Sequence, residues 1–281
     1  AHNNMGVVLR RMGKPYQAID HYREAERLRP RWAEVQYNFA LLLAEEPLLD
    51  QLGFSSIDEQ WQAALERYRL ALAIRPDDVK TLNDLGILHK KMGQIDEAVR
   101  FYTRALQIDP DYVNSYYNLA IALADQGSDA EASNEYLRAL KLQPGHVGAR
   151  TNLALLLERR GRYRESSKFL RDGLVHSPDQ PVLLFHLSWL LATAPDPSVR
   201  NGLEALALAE QLQAVTGGQN PQALDALAAA YAEAGRFEDA IETGEQASRL
   251  AAQLGNQDLA NQIDERLELY RSQQPYRSPA P

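Results

Sequence analysis

The chain of 281 residues contains no cysteine, which excludes a disulfide framework, a thiol nucleophile and a cysteine-ligated metal. Basic side chains are outnumbered, with 30 lysines and arginines against 38 aspartates and glutamates. This acidic balance argues against binding to nucleic acid or to an anionic membrane surface. No apolar run approaches the roughly 20 residues that span a bilayer, and no basic segment followed by an apolar one opens the chain. We therefore expect no direct membrane insertion, and the compartment stays open.

Motifs of the common catalytic and cofactor sites are also missing. The sequence has no P-loop, no GxSxG, no HExxH and no glycine-rich dinucleotide fingerprint. Six histidines are scattered along the chain, and no two have the i, i+4 spacing of a helical metal site. We predict no enzyme activity, no catalytic residue, no cofactor and no metal.

A repeat is what the sequence does contain. Prolines stand at positions 76, 110, 144 and 178, each 34 residues after the last. Between positions 79 and 110, two apolar stripes of helical spacing are separated by Gly93, a residue suited to the left-handed conformation that ends a helix. The second stripe ends before Pro110, because a residue that precedes proline is disfavoured in α space. Each 34-residue stretch therefore predicts a pair of helices.

Small, aromatic and proline residues recur at fixed places in these pairs. They are Leu85, Gly86, Gly93, Ala98, Tyr102, Ala105 and Pro110 in the third repeat; Gly6, Gly13, Ala18, Tyr22, Ala25 and Pro30 in the first; and Ala120, Gly127, Ala132, Tyr136, Ala139 and Pro144 in the fourth. This pattern resembles the tetratricopeptide repeat (TPR), a 34-residue helix-turn-helix. The resemblance implies an all-α fold, a right-handed superhelical solenoid of about seven TPR units with a C-terminal capping helix.

The predicted domain organisation is a single TPR solenoid over residues 1–272, followed by a flexible, proline-rich tail at 273–281. The repeats are expected at 1–32, 33–78, 79–112, 113–146, 147–180, 181–219 and 220–255, with the capping helix at 256–272. The chain starts inside a repeat and without methionine, so we expect an excised fragment with an uncapped N-terminal end.

The second repeat carries a 12-residue insert around "PLLDQLGFSS", because Ala40 and Ala64 are 24 residues apart where the fourth repeat has 12 between the equivalent alanines. We predict a loop or a short extra turn there. Ser56 and Glu59 have the spacing of a capping box, which predicts that a helix resumes at this point.

Two rows of side chains are predicted to line a concave groove, since the resemblance implies that the first helix of each repeat faces inward. Two residues before the small residue of each first helix stand Asn4, Asn38, Asp84, Asn118, Asn152 and His186. One position earlier stand Asn3, Tyr37, Asn83, Tyr117, Thr151 and Phe185. Asparagine carries both a donor and an acceptor, so such a row could bind a peptide backbone. It resembles the asparagine ladder of O-linked N-acetylglucosamine transferase. Local structural amides and tyrosines packed on the adjacent helix are the alternatives.

A second TPR binding mode is the carboxylate clamp of chaperone adaptors. Asn38 and Lys80 occupy two of its positions, whereas Asn3, Val7 and Asp84 occupy the others. The carboxylate of Asp84 would repel an acidic ligand, so this mode is not favoured.

Two functions of different class remain open. The first is a non-catalytic scaffold that binds an extended peptide or partner protein in the groove. The second is a structural element that self-associates through the uncapped N-terminal end or through the apolar residues of the insert, Leu48, Leu49, Leu52 and Phe54. In addition, the last third resembles bacterial TPR regions that follow a glycosyltransferase-like membrane segment. That resemblance implies a membrane-tethered region that recruits a protein substrate.

Overall fold

The computed structural model describes residues 1–45 and 53–280, and within them the chain forms fifteen α-helices and no strand. Helices α1 to α8 are His2–Arg11, Pro15–Leu28, Ala33–Glu45, Ile57–Ile74, Val79–Lys91, Ile95–Ile108, Val113–Asp125 and Asp129–Leu142. Helices α9 to α15 are Val147–Arg159, Tyr163–His176, Pro181–Thr193, Gly202–Thr216, Pro221–Glu233, Phe237–Gln253 and Gln257–Arg271. The predicted all-α repeat fold is confirmed. None of these helices is both long and apolar enough to cross a membrane.

The helices group into two compact units, which we call the N-terminal unit (Ala1–Leu142) and the C-terminal unit (Gln143–Pro281). The boundary between them follows the last residue of α8 and precedes Pro144. The N-terminal unit therefore holds the first three predicted repeats and the fourth as far as Leu142, and the C-terminal unit holds the rest.

The turn inside the third repeat has the chemistry that the sequence predicts. Gly93 adopts a φ of +74° directly after α5, a backbone conformation that side chains other than glycine rarely adopt. Helix α6 ends at Ile108, and Asp109 follows in an extended conformation ahead of Pro110. Both helix ends therefore follow from local backbone preferences.

Small residues stand where the two helices of a repeat approach each other. Ala98, Tyr102 and Ala105 are fully buried in the N-terminal unit. A Cβ atom added to Gly86 would lie 2.5 Å from Cε1 of Tyr102, closer than any real contact. The ring of the second helix therefore occupies the space that glycine leaves on the first.

Replacing Ala105 by leucine should lower the free energy of unfolding by about 1 to 3 kcal/mol, because the site has no room for three more carbons. Thr103→Leu is the matched control, since Thr103 is exposed on the same helix. Urea unfolding followed by circular dichroism measures both. Equal midpoints for the two variants would refute the assignment of Ala105 to the helix crossing.

The helix after the insert begins as predicted. Ser56 caps α4, and its hydroxyl accepts a hydrogen bond from the backbone N–H of Glu59 at 3.2 Å. The Glu59 carboxylate instead accepts from the backbone N–H and the hydroxyl of Ser55, both at 2.7 Å. Phe54 is half-buried against the core of the N-terminal unit. The predicted role of Leu48, Leu49 and Leu52 lies outside the described residues.

The last helix covers an apolar face of the C-terminal unit. Ile263, Leu267 and Tyr270 of α15 are buried in a cluster with alanines of α13 and α14. The apolar stripe predicted for the capping helix is therefore the side of α15 that packs against α13 and α14.

The tail after α15 differs from the flexible segment that its composition predicts. The backbone N–H of Ser278 donates to the carbonyl oxygen of Thr193 at 2.9 Å, and Arg277 donates to the carbonyl oxygen of Ala192 at 3.2 Å. The physical reason is that Tyr276 and Arg277 have partners on α11 and α13, which a rule based on proline content does not take into account.

Candidate functional site

The two predicted rows are hydrogen-bonded to each other across successive repeats of the N-terminal unit. The Nδ2 atom of Asn38 donates to Oδ1 of Asn3 at 3.0 Å, and Nδ2 of Asn118 donates to Oδ1 of Asn83 at the same distance. Each pair is 35 residues apart, one repeat plus one position. Asn83 is buried and also accepts from the hydroxyl of Ser115 at 3.1 Å. These contacts support the alternative of structural amides, since Asn38 and Asn118 each join their repeat to the preceding one.

Between the second and third repeats, a tyrosine hydroxyl and a carboxylate take the place of the two asparagine amides. The Tyr37 hydroxyl donates to Oδ2 of Asp84 at 2.6 Å, and Nδ2 of Asn83 donates to the other carboxylate oxygen at 3.1 Å. Burial raises the pKa of Asp84, while these two hydrogen bonds oppose the shift. Burial and the neighbouring carboxylate raise the pKa of Tyr37 far above its ordinary value. Tyr37 therefore stays a donor, and Lys80 places its ammonium group 4.8 Å from the centre of the Tyr37 ring.

Two open cavities adjoin this pair in the N-terminal unit. The first, of about 440 Å³, is lined by polar groups that include Asn4, Asn38, Tyr37 and Lys80. The second, of about 320 Å³, shares Tyr37 and Lys80 with the first and adds Asp84. Since all five residues lie on α1, α3 and α5, the first helices of three repeats form one surface, which we call the first-helix face.

The aromatic members of the predicted rows make contacts with the second helices. The rings of Tyr37 and Tyr68 have centroids 6.0 Å apart, and those of Tyr117 and Tyr136 are 6.2 Å apart. Tyr37 and Tyr117 are nevertheless half-buried and not fully enclosed. Packing on the adjacent helix thus accounts for part of each ring and leaves another part at the surface.

The N-terminal unit contains eight of the twelve residues in the predicted rows: Asn3, Asn4, Asn38, Asp84, Asn118, Tyr37, Asn83 and Tyr117. The other four, Thr151, Asn152, Phe185 and His186, belong to the C-terminal unit. Asn152 is half-buried on α9, and burial lowers the pKa of His186 on α11. Phe185 stacks on Trp189, with ring centroids 6.1 Å apart and planes at 21°.

Sequence reasoning missed the continuation of the second row in the seventh repeat. Asp225 stands three residues before Ala228, the same register as Tyr37 and Phe185. Its carboxylate accepts two hydrogen bonds from Arg266 of α15, at 2.7 and 3.0 Å, and both side chains are buried. Burial raises the pKa of Asp225 to about 6, and the guanidinium opposes that shift. Counting three residues back from Ala228, as in the other repeats, identifies Asp225 in the sequence.

Clusters of side chains that could hold a metal ion are not found in the described residues. Within residues 1–45 and 53–280, no group of three or more histidine, aspartate and glutamate side chains could hold a metal ion. Asn4, Asn38, Tyr37, Lys80 and Asp84 supply two amides, a phenol, an ammonium group and a carboxylate, and the charged side chains of Glu34, Arg75 and Asp78 also line the first cavity. Amide and phenol groups suit hydrogen bonding to a polypeptide.

Family models match the chain in four places. TPR repeat models match residues 89–127, and tetratricopeptide repeat models match residues 117–181, 223–258 and 1–31. The search of curated proteins finds no match.

Solved structures similar to this chain are also repeat proteins of this kind. "YrrB: a TPR protein with an unusual peptide-binding site" has a TM-score of 0.55 and 17% identity over 72% of this chain and 99% of its own. Yeast Tom70 has a TM-score of 0.60 and 16% identity over 96% of this chain and 54% of its own. MamA from Desulfovibrio magneticus RS-1 has a TM-score of 0.52 and 18% identity over 64% of this chain and 94% of its own. At these identities the likeness concerns the fold, and together with the four family-model matches it identifies the chain as a tetratricopeptide repeat protein.

Proposed function

We propose that this chain is a non-catalytic scaffold that binds an extended peptide segment of a partner protein along the first-helix face of the N-terminal unit. The observation that carries the proposal is the pair of adjoining cavities that share Tyr37 and Lys80. Two adjoining cavities that are open to solvent suit a chain segment better than they suit a small enclosed molecule. The peptide-binding site named for YrrB, a protein of the same fold, supports this choice.

The asparagines can serve both the fold and a ligand. Asn38 and Asn118 each use one N–H for the bond to the preceding repeat. A side-chain amide has two N–H donors and one carbonyl acceptor, so each of them keeps a donor and an acceptor for a peptide backbone. In the described part of the chain, neither carbonyl oxygen accepts a hydrogen bond. Lys80 and Tyr37 add a charge and an aromatic surface beside the amide of Asn38.

Replacing Asn118 by alanine should weaken binding of a peptide ligand by about 1 to 2 kcal/mol, because a backbone group of the ligand loses its partner. A ligand is first selected from a random peptide library against the intact chain, and its affinity is then measured by fluorescence anisotropy. Gln107→Ala is the control, since Gln107 is exposed on the second helix of the third repeat.

The same variant separates the two roles of the amide. If Asn118 only fixes the repeats to each other, Asn118→Ala lowers the melting temperature and leaves the affinity unchanged well below that temperature. That result would remove Asn118 from the binding site. A loss of affinity at full folding, absent in Gln107→Ala, would support it.

Self-association is the second candidate, and the exposed apolar side of α1 favours it. Met5, Val8 and Met12 have 48%, 49% and 60% of their surface exposed. Met5 and Val8 lie on one side of α1 because they are three residues apart, and Met12 follows directly after the helix. Sedimentation over a range of concentrations, with Met12→Glu for comparison, tests this candidate. A wild-type mass that stays at 31.5 kDa throughout would exclude it.

The resemblance of the last third to bacterial proteins with a glycosyltransferase-like membrane region stays a prediction, as does the resemblance to the asparagine ladder. If the first of these holds, the scaffold would present a protein substrate to a catalytic region elsewhere.

A further inference from the structure

The C-terminal tail lies against the C-terminal unit as an extended segment with backbone hydrogen bonds. The N–H of Ser278 donates to the carbonyl oxygen of Thr193, at the end of α11, at 2.9 Å. The hydroxyls of the same two residues are also 2.9 Å apart. Bonds to both the backbone and the side chain of one residue are the kind of contact by which a peptide is held in a groove.

Arg277 of the tail reaches a shielded carboxylate. Its Nη2 atom lies 2.6 Å from Oε2 of Glu233, whose side chain is only 13% exposed. The other oxygen of Glu233 is 3.2 Å from Nε of Arg200. Glu233 therefore accepts a hydrogen bond from Arg200 of the same unit and forms an ion pair, without hydrogen-bond geometry, with Arg277 of the tail. A charge pair in such a sheltered position is stronger than one in open water.

Tyr276 occupies an aromatic and cationic site. Its ring centroid is 5.9 Å from that of Trp189, and the Arg266 guanidinium is 5.5 Å from the Tyr276 ring and 5.3 Å from the Trp189 ring. The two hydrogen bonds that Arg266 donates to Asp225 hold that guanidinium in place. A cation within reach of both rings favours an aromatic side chain at this position over an aliphatic one.

These contacts lie beside a residue that the sequence places in the binding rows. Phe185 stacks on Trp189, which is one turn further along α11. The tail therefore contacts the same side of α11 that the register of the repeats assigns to ligand binding.

We propose that this face of the C-terminal unit is a second peptide site, specific for an extended segment of a partner protein with an aromatic residue followed by arginine and serine. Residues 276–278 occupy the site as an intramolecular ligand, so a partner segment must displace them. The inference does not depend on the function proposed for the N-terminal unit, because every residue that carries it belongs to the C-terminal unit.

The test uses a fluorescein-labelled peptide with the sequence of residues 273–280, QQPYRSPA. Its affinity is measured for the full wild-type chain and for the full chain with Tyr276→Ala and Arg277→Ala. A tethered segment competes at an effective concentration of about a millimolar, so the peptide should bind the double variant at least about 10-fold more tightly than the wild type. Equal affinities would overturn the proposal.

A second peptide, compared on the same double variant, tests the arginine contact without any further change to the protein. QQPYASPA lacks the arginine side chain that pairs with Glu233 and donates to the carbonyl oxygen of Ala192. It should bind the double variant at least about 10-fold more weakly, since a sheltered charge pair and a hydrogen bond are lost. Equal binding of both peptides would overturn the assigned chemistry. Sedimentation completes the test: the proposal requires the wild type and the double variant to have the same mass. A wild-type dimer that the double variant loses would show instead that the tail occupies a second copy.

Discussion

Replacing Asp225 by alanine is expected to lower the free energy of unfolding by about 3 to 5 kcal/mol. Asp225 and Arg266 have side-chain exposures of only 6% and 9%, and two hydrogen bonds join them. Without the carboxylate, the guanidinium stays buried with no countercharge. The loss therefore measures the cost of an uncompensated charge and not the strength of the pair.

The control for this change is the replacement of both partners. Asp225→Leu combined with Arg266→Met removes both charges and retains most of the volume, so it should cost much less than Asp225→Ala. Glu97→Ala, which removes an exposed partner of Arg100, should have little effect. Urea unfolding compares the three variants. The account of the pair is contradicted if Asp225→Ala is no less stable than the double replacement.

The second large effect is expected at Tyr102, where alanine should cost about 3 to 5 kcal/mol by leaving a cavity at a fully buried site. The ring has no exposed surface and fills the space beside Gly86. Tyr102→Phe is the control, because in residues 1–45 and 53–280 the buried hydroxyl has no hydrogen-bond partner. Phenylalanine should leave the stability unchanged or raise it by up to about 1 kcal/mol.

A double-mutant cycle with Gly86→Ala tests whether the two residues share one space. In the wild-type background the added methyl group meets the Tyr102 ring and should destabilise the chain. In the Tyr102→Ala background that obstacle is gone, and the better helix propensity of alanine should stabilise it instead. If Gly86→Ala has the same effect in both backgrounds, the proposed crossing geometry is wrong.

Local features of this fold were predictable because they depend on neighbours in the sequence. The glycine that ends α5, the proline that follows α6 and the serine that caps α4 each act on a few adjacent backbone groups. The 34-residue register then placed Ala98, Tyr102 and Ala105 in the core. Helix pairs and buried crossing residues therefore follow from the pattern alone.

The partners of the site residues were not predictable in the same way. The register placed Asn38 and Asn118 in one row and Asn3 and Asn83 in another, but the bonds between the rows depend on how successive repeats stack. Tyr37 and Asp84 are 47 residues apart, because the insert separates them. A side-chain bond at that spacing has no signal in a single sequence.

The tail illustrates the same limit more strongly. Proline content predicts a flexible segment, yet Tyr276 and Arg277 have specific partners in Trp189 and Glu233, residues more than 40 positions earlier in the chain. The composition of a segment indicates how much apolar surface it can bury by itself. It does not indicate which residues elsewhere in the chain the segment will contact. The contacts of the tail, from which we propose the C-terminal peptide site, are therefore visible in the structure and not in the sequence pattern.

The most direct test of the central claim, that first helices bind extended partner segments, is site-specific photo-crosslinking. A benzophenone amino acid is placed at Asn4, which lines the first cavity, or at Leu70, which is 47% exposed on the second helix of its repeat. The peptide selected against the intact chain is then irradiated with each variant. The account predicts a cross-link from position 4 and little from position 70. Equal yields, or a cross-link from position 70 alone, would contradict it.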